Sequence, residues 1–456
     1  MDNSLRRAIP AVHRFTADPD VSAFNGVLGR GAVRTAVQQV LDDARARAQT
    51  TTSPPDDATL KRRMLGLLAA SESAGLLRLI NGTGVILHTN FGRAPLAGAA
   101  LDAIGALGAG YTNLEYDLTS AKRGSRYARV AAQLRELTGA ESSLLVNNCA
   151  AAVVLVLDTF ANGRDVVVSR GQLVEIGGGF RLPDVLRKSG ANLIEVGTTN
   201  RTYASDYRDA WSPGTAMFMR THPSNFRVDG FTADVSAQAL AALAKELDVL
   251  SFEDLGSGAL IDFAQFGLPS EPTVAQEIAA GLDLVAVSGD KLLGGPQCGI
   301  ICGRADLIDR MRANPMLRAL RTDKIAIAAL SATLALYLEP DRLRELPLVS
   351  MLALSCDELF SRAAALCAKL TGGSARFRPV LTSAATGGGT MPAADIPSAG
   401  IAVTPSNDSP HEFAARMCAR RPPVIGRVQD DDFIVDLRTV RKDEDAELCA
   451  AFIACT

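Results

Sequence analysis

The stretch LDLVAVSGDKLLGGPQCGIICG, residues 282–303, decides the fold class of this 456-residue chain. It begins with a short apolar run that predicts a buried strand, and the residues SGDK, ending in Lys291, come directly after it. An amine held at the end of a buried strand loses its charge readily, and the neutral amine can form a Schiff base with a carbonyl cofactor. An exposed lysine in an ordinary turn would have similar neighbours, and the composition of this stretch alone favours neither interpretation.

Further apolar runs precede this stretch and alternate with segments of helical pattern. They are SSLLVNN, RDVVVSR, NLIEVG, TAMFMRTH and DVLSFED. Short strands that alternate with longer helices predict βαβ units and a mainly parallel sheet, so we expect an α/β catalytic domain over residues 66–340. Ligands bind beyond the carboxyl ends of the strands in such sheets, and Lys291 lies at one of these ends.

The two flanks of the chain predict smaller domains. Apolar and small residues recur at helical spacing over residues 33–48, and the proline-containing segment TTTSPPDDA then ends the pattern, which predicts a helical N-terminal domain over residues 1–65. Predicted helices and short strands indicate a small α+β domain over residues 341–456. Within it, the Gly-, Pro- and Ser-rich segment TSAATGGGTMPAADIPSAG, residues 382–400, predicts a flexible connection.

Composition limits the classes of partner. The formal net charge is −3, which is not the charge of a strongly basic nucleic-acid-binding domain, and we expect no DNA partner. A mild basic excess over residues 1–65 fits a solvated helical face better than an RNA footprint. No apolar run approaches the length of a membrane span and the N-terminus does not resemble a secretory signal, so we expect a cytoplasmic protein with no membrane partner. The eight cysteines form no CxxC pair, and we expect no metal site.

A pyridoxal-phosphate (PLP) site makes two further demands on the sequence. An acid must face the pyridine nitrogen, and Asp254, which closes the run VLSFED one strand–helix unit ahead of Lys291, is the candidate. An aspartate that caps the following turn is the alternative, but the spacing to Lys291 favours the cofactor. The phosphate needs backbone N–H groups at a helix N-terminus, and LLVNNCAAAVVLVLDTF offers a strand, then Asn148 and Cys149, then small residues that open a helix.

Six strings resemble the motifs of the bacterial L-seryl-tRNA(Sec) selenium transferase family. They are INGTGVILHTNFGRAPL, NNCAAAV, RGQLVEIGGGFRLPDV, GTTNRT, EDLGSG and SGDKLLGGPQCGI, and they span most of the chain. The resemblance implies a PLP-dependent fold of the aspartate-aminotransferase type (fold type I). It also implies an N-terminal domain that holds transfer RNA, and a homo-oligomer in which dimers close into a decameric ring.

The resemblance further implies roles for individual residues. Lys291 would carry the cofactor, Asp254 would pair with the pyridinium, and Asp290 would assist beside the lysine. The phosphate cradle would be lined by Asn148, Cys149 and Ala150, although the family more often has asparagine where this chain has Cys149, and Ser288 would belong to the cofactor site. Arg93, Arg318 and Arg321 would bind selenophosphate.

The chemistry of the donor agrees with these arginines. A dianionic phosphorylated donor needs several charge-assisted hydrogen bonds, and a guanidinium group provides them as a fork. Arg318 and Arg321 are three residues apart, so a helix through both would place them on one face. A solvated basic helix would show the same spacing, and only the motif match favours a functional role.

The hypothesis is therefore conversion of seryl-tRNA(Sec) to selenocysteinyl-tRNA(Sec) with selenophosphate as donor, through an aminoacrylyl intermediate. Two alternatives belong to other functional classes. One is a PLP-dependent lyase that acts on a small free amino acid or amino-sugar acid; such relatives typically lack the N-terminal segment. The other is a non-catalytic RNA-binding protein on a degenerate PLP scaffold, which would be colourless.

Overall fold

The structure is a computed structural model, and it describes residues 9–47, 56–73, 75–176, 179–370, 374–392, 395–406 and 408–456. The chain divides into two compact units. The first unit comprises Met1–Leu79 with Arg421–Pro423, and the second comprises Ile80–Arg420 with Val424–Thr456. Within the described ranges, no helix has both the length and the apolar character that a bilayer span requires.

The N-terminal unit is helical. Its helices are α1 (Val12–Thr16), α2 (Pro19–Ser22), α3 (Asn25–Arg47) and α4 (Asp57–Ser73), and α3 is kinked at Gly29, where φ is 79°. Val37 and Leu41 of α3 are buried together with Met64 and Leu68 of α4. The expected boundary at residue 65 falls inside α4, because Met64 and Leu68 continue one buried helical face across that position.

The second unit contains the sheets and the remaining helices. Its strands are β1 (Ile80–Asn81), β2 (Tyr116–Asp117), β3 (Lys122–Arg123), β4 (Ser142–Val146), β5 (Asp165–Ser169), β6 (Glu175–Ile176), β7 (Phe180–Arg181), β8 (Asn192–Val196), β9 (Thr215–Thr221), β10 (Leu250–Gly256), β11 (Leu284–Ser288), β12 (Gly299–Gly303), β13 (Ala375–Ala384), β14 (Ile396–Pro405), β15 (Val424–Ile425), β16 (Arg427–Gln429) and β17 (Asp432–Asp436). Its helices are α5 (Gly98–Gly108), α6 (Ala128–Thr138), α7 (Cys149–Phe160), α8 (Leu182–Lys188), α9 (Ala204–Asp209), α10 (Ala237–Glu246), α11 (Val274–Ala279), α12 (Ala305–Ala313), α13 (Leu317–Leu320), α14 (Lys324–Tyr337), α15 (Pro347–Ala353), α16 (Cys356–Cys367), α17 (Pro410–Cys418) and α18 (Asp445–Cys455).

A seven-stranded sheet is the centre of the second unit, with strand order β4-β12-β11-β10-β9-β5-β8. The neighbours from β11 to β8 pair in parallel, and β12 runs antiparallel to both of its neighbours. Every residue of β4, β9 and β11 is buried, as expected for strands that helices cover on both faces. The predicted α/β class and the mainly parallel sheet are therefore confirmed.

The C-terminal part of the second unit has its own antiparallel sheet, in the order β13-β14-β17-β16. Buried side chains of α16, α17 and α18 pack with this sheet in a separate apolar cluster that includes Phe413, Phe433 and Phe452. The predicted α+β character of this part is confirmed. The prediction of a connection over residues 382–400 is wrong at both ends of the segment, because Ala384 pairs with Ile396 and the terminal residues of the segment belong to the hairpin of β13 and β14.

Candidate active site

The side chains of Lys291 and Asp254 converge at the carboxyl edge of the main sheet. Asp254 lies in β10 near its end, and Lys291 follows the end of β11, the neighbouring parallel strand. Both residues are buried, with 6% and 5% of their surface exposed. A methyl group built at Gly256 would lie 3.7 Å from Asp254 Oδ1 and 3.8 Å from Lys291 Nζ. The carboxylate and the amine therefore face one common space.

Burial dominates the electrostatics of Asp254. Loss of solvent raises the pKa of the Asp254 carboxyl above its ordinary value, while the positive charge of Lys291 and the Cys149 thiol oppose that rise. The backbone N–H of His222 donates to the Asp254 carbonyl at 3.0 Å and fixes the end of the strand. A buried carboxyl of this kind is suited to pair with a cationic ring, which would hold it in the ionised form.

The turn between β4 and α7 has the geometry that an anion cradle needs. The Asn148 side chain caps α7, and its Oδ1 accepts a hydrogen bond from Ala151 N at 2.8 Å. The first N–H groups of a helix have no acceptor within the helix, so those at Cys149 and Ala150 suit a phosphate group. Gly299 of β12 permits this arrangement, because a methyl group there would lie 2.1 Å from Asn148 O.

Cys149 contacts the acid as well as opening the helix. Its Sγ lies 3.5 Å from Asp254 Oδ1, so the thiol donates a weak hydrogen bond to the carboxylate. Burial raises the pKa of the Cys149 thiol well above its ordinary value, and the charge of Asp254 adds to the rise. Cys149 is therefore a neutral donor that links the cradle to the acid.

Asp290 joins Ser288 and Arg93 in a hydrogen-bonded group next to Lys291. Ser288 Oγ donates to Asp290 Oδ1 at 2.7 Å, and Arg93 Nη1 donates to Asp290 Oδ2 at 2.8 Å. Asp290 is buried, and the Arg93 side chain is 29% exposed. Arg93 adopts a left-handed backbone conformation with φ of 63°. Both Asp290 oxygens therefore have fixed partners, and one of those partners is a guanidinium that is still open to solvent.

Arg318 and Arg321 line a separate cavity of about 410 Å³, the basic cavity. The expectation that they share a helical face is wrong: α13 ends at Leu320, and Arg321 is extended, with ψ of 140°. Arg321 instead pairs as an isolated bridge with Val146, and Leu320 O accepts from Asn147 N at 2.9 Å. These backbone contacts hold Arg321 beside the strand that leads into the cradle.

Most of the charged side chains in the wall of the basic cavity are arginines. Arg123, Arg126 and Arg312 line it together with Arg318 and Arg321. Glu115 is the acid in its wall, and Arg126 Nε donates to Glu115 Oε1 at 2.8 Å. Arg321 Nη1 lies 3.7 Å from the same oxygen. Arg93 is not among the residues that line this cavity, so the structure brings two of the three expected arginines together and places the third with Asp290.

Some residues near the site were not predicted from the sequence. Ser224 Oγ lies 3.9 Å from the methyl position at Gly256, and a methyl group at Gly389 would lie 3.9 Å from Lys291 Nζ. The glycine triplet that ends at Gly389 was included in the expected flexible connection, and all three of its glycines have positive φ values, the conformation that favours glycine in turns. Among the described residues, no group of three or more His, Cys, Asp or Glu is arranged to hold a metal ion.

Comparisons with known proteins cover nearly the whole chain. A family model described as L-seryl-tRNA selenium transferase matches residues 79–441, and a model described as selenocysteine synthase N terminal matches residues 6–45. The curated L-seryl-tRNA(Sec) selenium transferase of Moorella thermoacetica is 45% identical, with 99% of this chain and 97% of the relative covered. That of Nitratidesulfovibrio vulgaris (strain Hildenborough) is 46% identical, with 98% of each covered.

A solved structure shares the fold over most of this chain at lower sequence identity. The structure of D-glucosaminate-6-phosphate ammonia-lyase matches with a TM-score of 0.59 and 17% identity, over 85% of this chain and 97% of that chain. At this identity the likeness concerns the fold alone, and it agrees with the α/β architecture described above.

Proposed function

The chain belongs to the L-seryl-tRNA(Sec) selenium transferase family, and on that basis we propose that it converts L-seryl-tRNA(Sec) to L-selenocysteinyl-tRNA(Sec) with selenophosphate as selenium donor. The observation that carries the proposal is the convergence of Lys291 Nζ and Asp254 Oδ1 on one buried space at the carboxyl edge of the sheet. The family membership indicates the substrate, and the positions of Lys291 and Asp254 support the proposed chemistry.

The residues of the site fit PLP as cofactor. Lys291 offers the amine that would hold the cofactor carbonyl, and Asp254 offers the acid that would face the pyridine nitrogen. The first turn of α7, at Cys149 and Ala150, would receive the phosphate, and Ser288 would support the site through Asp290. When bound, PLP withdraws electrons from the α-carbon of an attached amino acid.

The protein's own residues then move the proton and hold the charges. Lys291 Nζ would accept the α-proton of the seryl group, since it is the amine at the convergence point. Asp254, kept ionised by a cationic ring, would stabilise positive charge on that ring. Asp290 is held by hydrogen bonds from Ser288 and Arg93, and it would assist beside Lys291. Because the seryl carboxyl is esterified to RNA, no arginine is needed for a free α-carboxylate.

We assign selenophosphate binding to Arg93, Arg318 and Arg321. The cavity that contains Arg318 and Arg321 has five arginines in its wall and Glu115 as the acid, so its charge suits a dianion. Arg93 keeps donors open to solvent beside Lys291 while one donor holds Asp290.

We propose a homo-oligomer built from dimers that close into a ring, a decamer, as the family resemblance implies. We also assign transfer-RNA binding to the N-terminal helical unit, which folds as a separate unit and matches the selenocysteine synthase N-terminal model. A cytoplasmic location follows from the substrate, because aminoacyl-tRNA is made and used in the cytoplasm.

The direct experiment is incubation of the purified protein with seryl-tRNA(Sec) and selenophosphate, with selenocysteinyl-tRNA as the measured product. We expect product with the wild-type protein and none with Lys291→Ala. Seryl-tRNA(Ser) serves as the substrate control. Equal conversion of seryl-tRNA(Ser), or ammonia release from a small free amino acid in place of selenocysteinyl product, would contradict the assignment.

A further inference from the structure

Ser224 is a buried residue of the active site that the chemistry described above leaves without a role. It lies shortly after the end of β9, and 4% of its surface is exposed. Its Oγ lies 3.9 Å from the methyl position at Gly256, which is also 3.7 Å from Asp254 Oδ1 and 3.8 Å from Lys291 Nζ. The Ser224 hydroxyl therefore faces the same space as the acid and the amine. Its burial is produced by this chain alone, so it does not depend on which outer surfaces an oligomer covers.

The Ser224 hydroxyl is held in place but has no partner. The Ser224 backbone N–H donates to His222 O at 2.7 Å, and the next side chain is anchored because Asn225 Nδ2 donates to Glu175 O at 2.8 Å. Within the described part of the chain, the hydroxyl itself makes no hydrogen bond. Buried polar groups normally have a hydrogen-bond partner. A hydroxyl without one that faces a ligand space is suited to a partner that the ligand supplies.

The strand order decides which side of the cofactor Ser224 would face. The turn that suits the phosphate follows β4, and Ser224 follows β9, on the opposite side of β11 and β10. In PLP, the phosphate arm and the 3-oxygen leave opposite flanks of the line that joins the ring nitrogen to the carbonyl carbon. With the nitrogen at Asp254 and the carbonyl carbon at Lys291, the flank away from the phosphate is the one that Ser224 faces.

We propose that the Ser224 hydroxyl donates a hydrogen bond to the 3-oxygen of PLP. That oxygen carries negative charge in the bound cofactor, and a hydrogen bond to a charged oxygen is stronger than one between neutral groups. The donor stabilises the negative charge, so it favours loss of the proton that the 3-oxygen shares with the nitrogen of the cofactor–lysine linkage. The inference rests on the PLP site described above and does not depend on the identity of the substrate.

The other titratable groups around this space come from four elements. They are Asp254 from β10, Cys149 from α7, Asp290 after β11 and His222 after β9. Replacement of Ser224 by alanine removes only a hydroxyl group and leaves all four in the chain. A change in the titration of the bound cofactor in this variant therefore reports the contact made by the hydroxyl.

Titration of the visible band of the holoenzyme with pH, without substrate, tests the proposal. In Ser224→Ala the midpoint should rise by about one pH unit or more, because loss of the donor disfavours the deprotonated form of the cofactor. Ser143→Ala is the matched control, since Ser143 is a buried serine within β4. Its midpoint should equal that of the wild type. An unchanged or lower midpoint in Ser224→Ala, or an equal rise in Ser143→Ala, would overturn the proposal.

A matched pair of ligands gives an independent readout. The full chain, freed of cofactor, is titrated with PLP and with 3-deoxypyridoxal phosphate, which lacks the 3-oxygen. Ser224→Ala should bind PLP about tenfold or more weakly than the wild type, the loss expected for one hydrogen bond to a charged group. Both proteins should bind the deoxy compound equally. An equal penalty with both ligands would show that the hydroxyl does not contact the 3-oxygen.

The same variants separate a cofactor contact from a substrate contact. A normal spectrum and normal PLP affinity in Ser224→Ala, together with a raised KM for seryl-tRNA(Sec), would assign the hydroxyl to the substrate and overturn the proposal. Absence of any visible band in the wild-type protein loaded with PLP would instead contradict the cofactor site itself. A shifted midpoint without selenocysteinyl product would support the contact of Ser224 and contradict only the proposed function.

Discussion

Asp254 is held in a place that is unfavourable for a carboxylate without a partner. Burial raises the pKa of its carboxyl, and the contacts that oppose this come from Lys291 and from the Cys149 thiol at 3.5 Å. A bound cation beside Asp254 would reverse the effect of burial, because an ionised carboxylate pairs with it. The site is thus prepared for a positively charged ring rather than for a neutral one.

Asp254→Asn should lower the affinity for PLP by about tenfold or more, because the amide leaves a protonated ring nitrogen without a countercharge. The wild-type affinity should fall as the pH decreases through the pKa of Asp254, since the protonated carboxyl no longer pairs with the ring. The variant should lack this part of the pH dependence. Fluorescence titration with PLP from acid to neutral pH measures both effects. Asp248→Asn is the control, and equal pH profiles for wild type and Asp254→Asn would contradict the pairing.

Arg318 and Arg321 should act on the selenium donor and not on the RNA. Replacing either residue by alanine removes charge-assisted hydrogen bonds, so the KM for selenophosphate should rise by about tenfold or more. Steady-state kinetics at fixed seryl-tRNA(Sec) measures this. Arg187→Ala is the matched control, because Arg187 is exposed and pairs with Asp184 within α8. A rise in the KM for seryl-tRNA(Sec) alone would assign these arginines to the other substrate.

At the scale of the elements, the site depends on how closely β12 approaches the turn before α7. Gly299 begins β12, and a methyl group there would lie 2.1 Å from Asn148 O and 2.8 Å from Val146 Cγ2. The backbone of the cradle leaves no room for a side chain at this position. The antiparallel strand in an otherwise parallel sheet therefore helps to position the anion cradle.

Gly299→Ala should lower the free energy of unfolding by about 1–3 kcal/mol and weaken PLP binding, because the cradle must shift to admit the methyl group. Gly98→Ala provides the comparison, since a methyl group at Gly98, the first residue of α5, meets no atom within 4 Å. Chemical denaturation and PLP titration measure the two effects. Equal stabilities of the two variants would show that the approach of β12 does not constrain the cradle.

The strands of the main sheet were predictable from the sequence, because buried parallel strands appear as continuous apolar runs, and the positions just after them are where ligands bind in such sheets. Lys291 and Asp254 were identified for this reason. The approach of Gly389 to Lys291 and the cluster of Arg123 and Arg126 with Arg321 depend on packing between segments far apart in the chain, which no local pattern reveals. The helix does not continue through Arg321 as expected, because Arg321 forms a β-bridge with Val146 and Asp323 caps the next helix.

At the scale of the whole molecule, the division into two units separates two proposed tasks. The residues around Lys291 and those of the basic cavity belong to the second unit, and the N-terminal unit has its own helical core. Each unit matches a different family model, one over residues 79–441 and the other over residues 6–45. Cofactor binding and RNA recognition should therefore be separable.

A chain that begins at Ile80 should retain the visible absorption band of bound PLP and lose most of its affinity for transfer RNA(Sec). The reason is that the residues that fit the cofactor all lie in the second unit, whereas RNA binding is assigned to the first. Absorption spectroscopy and a filter-binding assay measure the two properties. Undiminished RNA affinity in the shortened chain would contradict the assignment of the N-terminal unit.

The central claim is that one amine, Lys291 Nζ, holds the cofactor opposite Asp254. The most direct measurement is reduction of the holoenzyme with borohydride, which fixes the cofactor to its lysine, followed by peptide mapping. The pyridoxyl group should be found on Lys291, and Lys291→Ala should show neither the label nor the visible band. A pyridoxyl group on any other lysine of the wild-type chain would contradict the account.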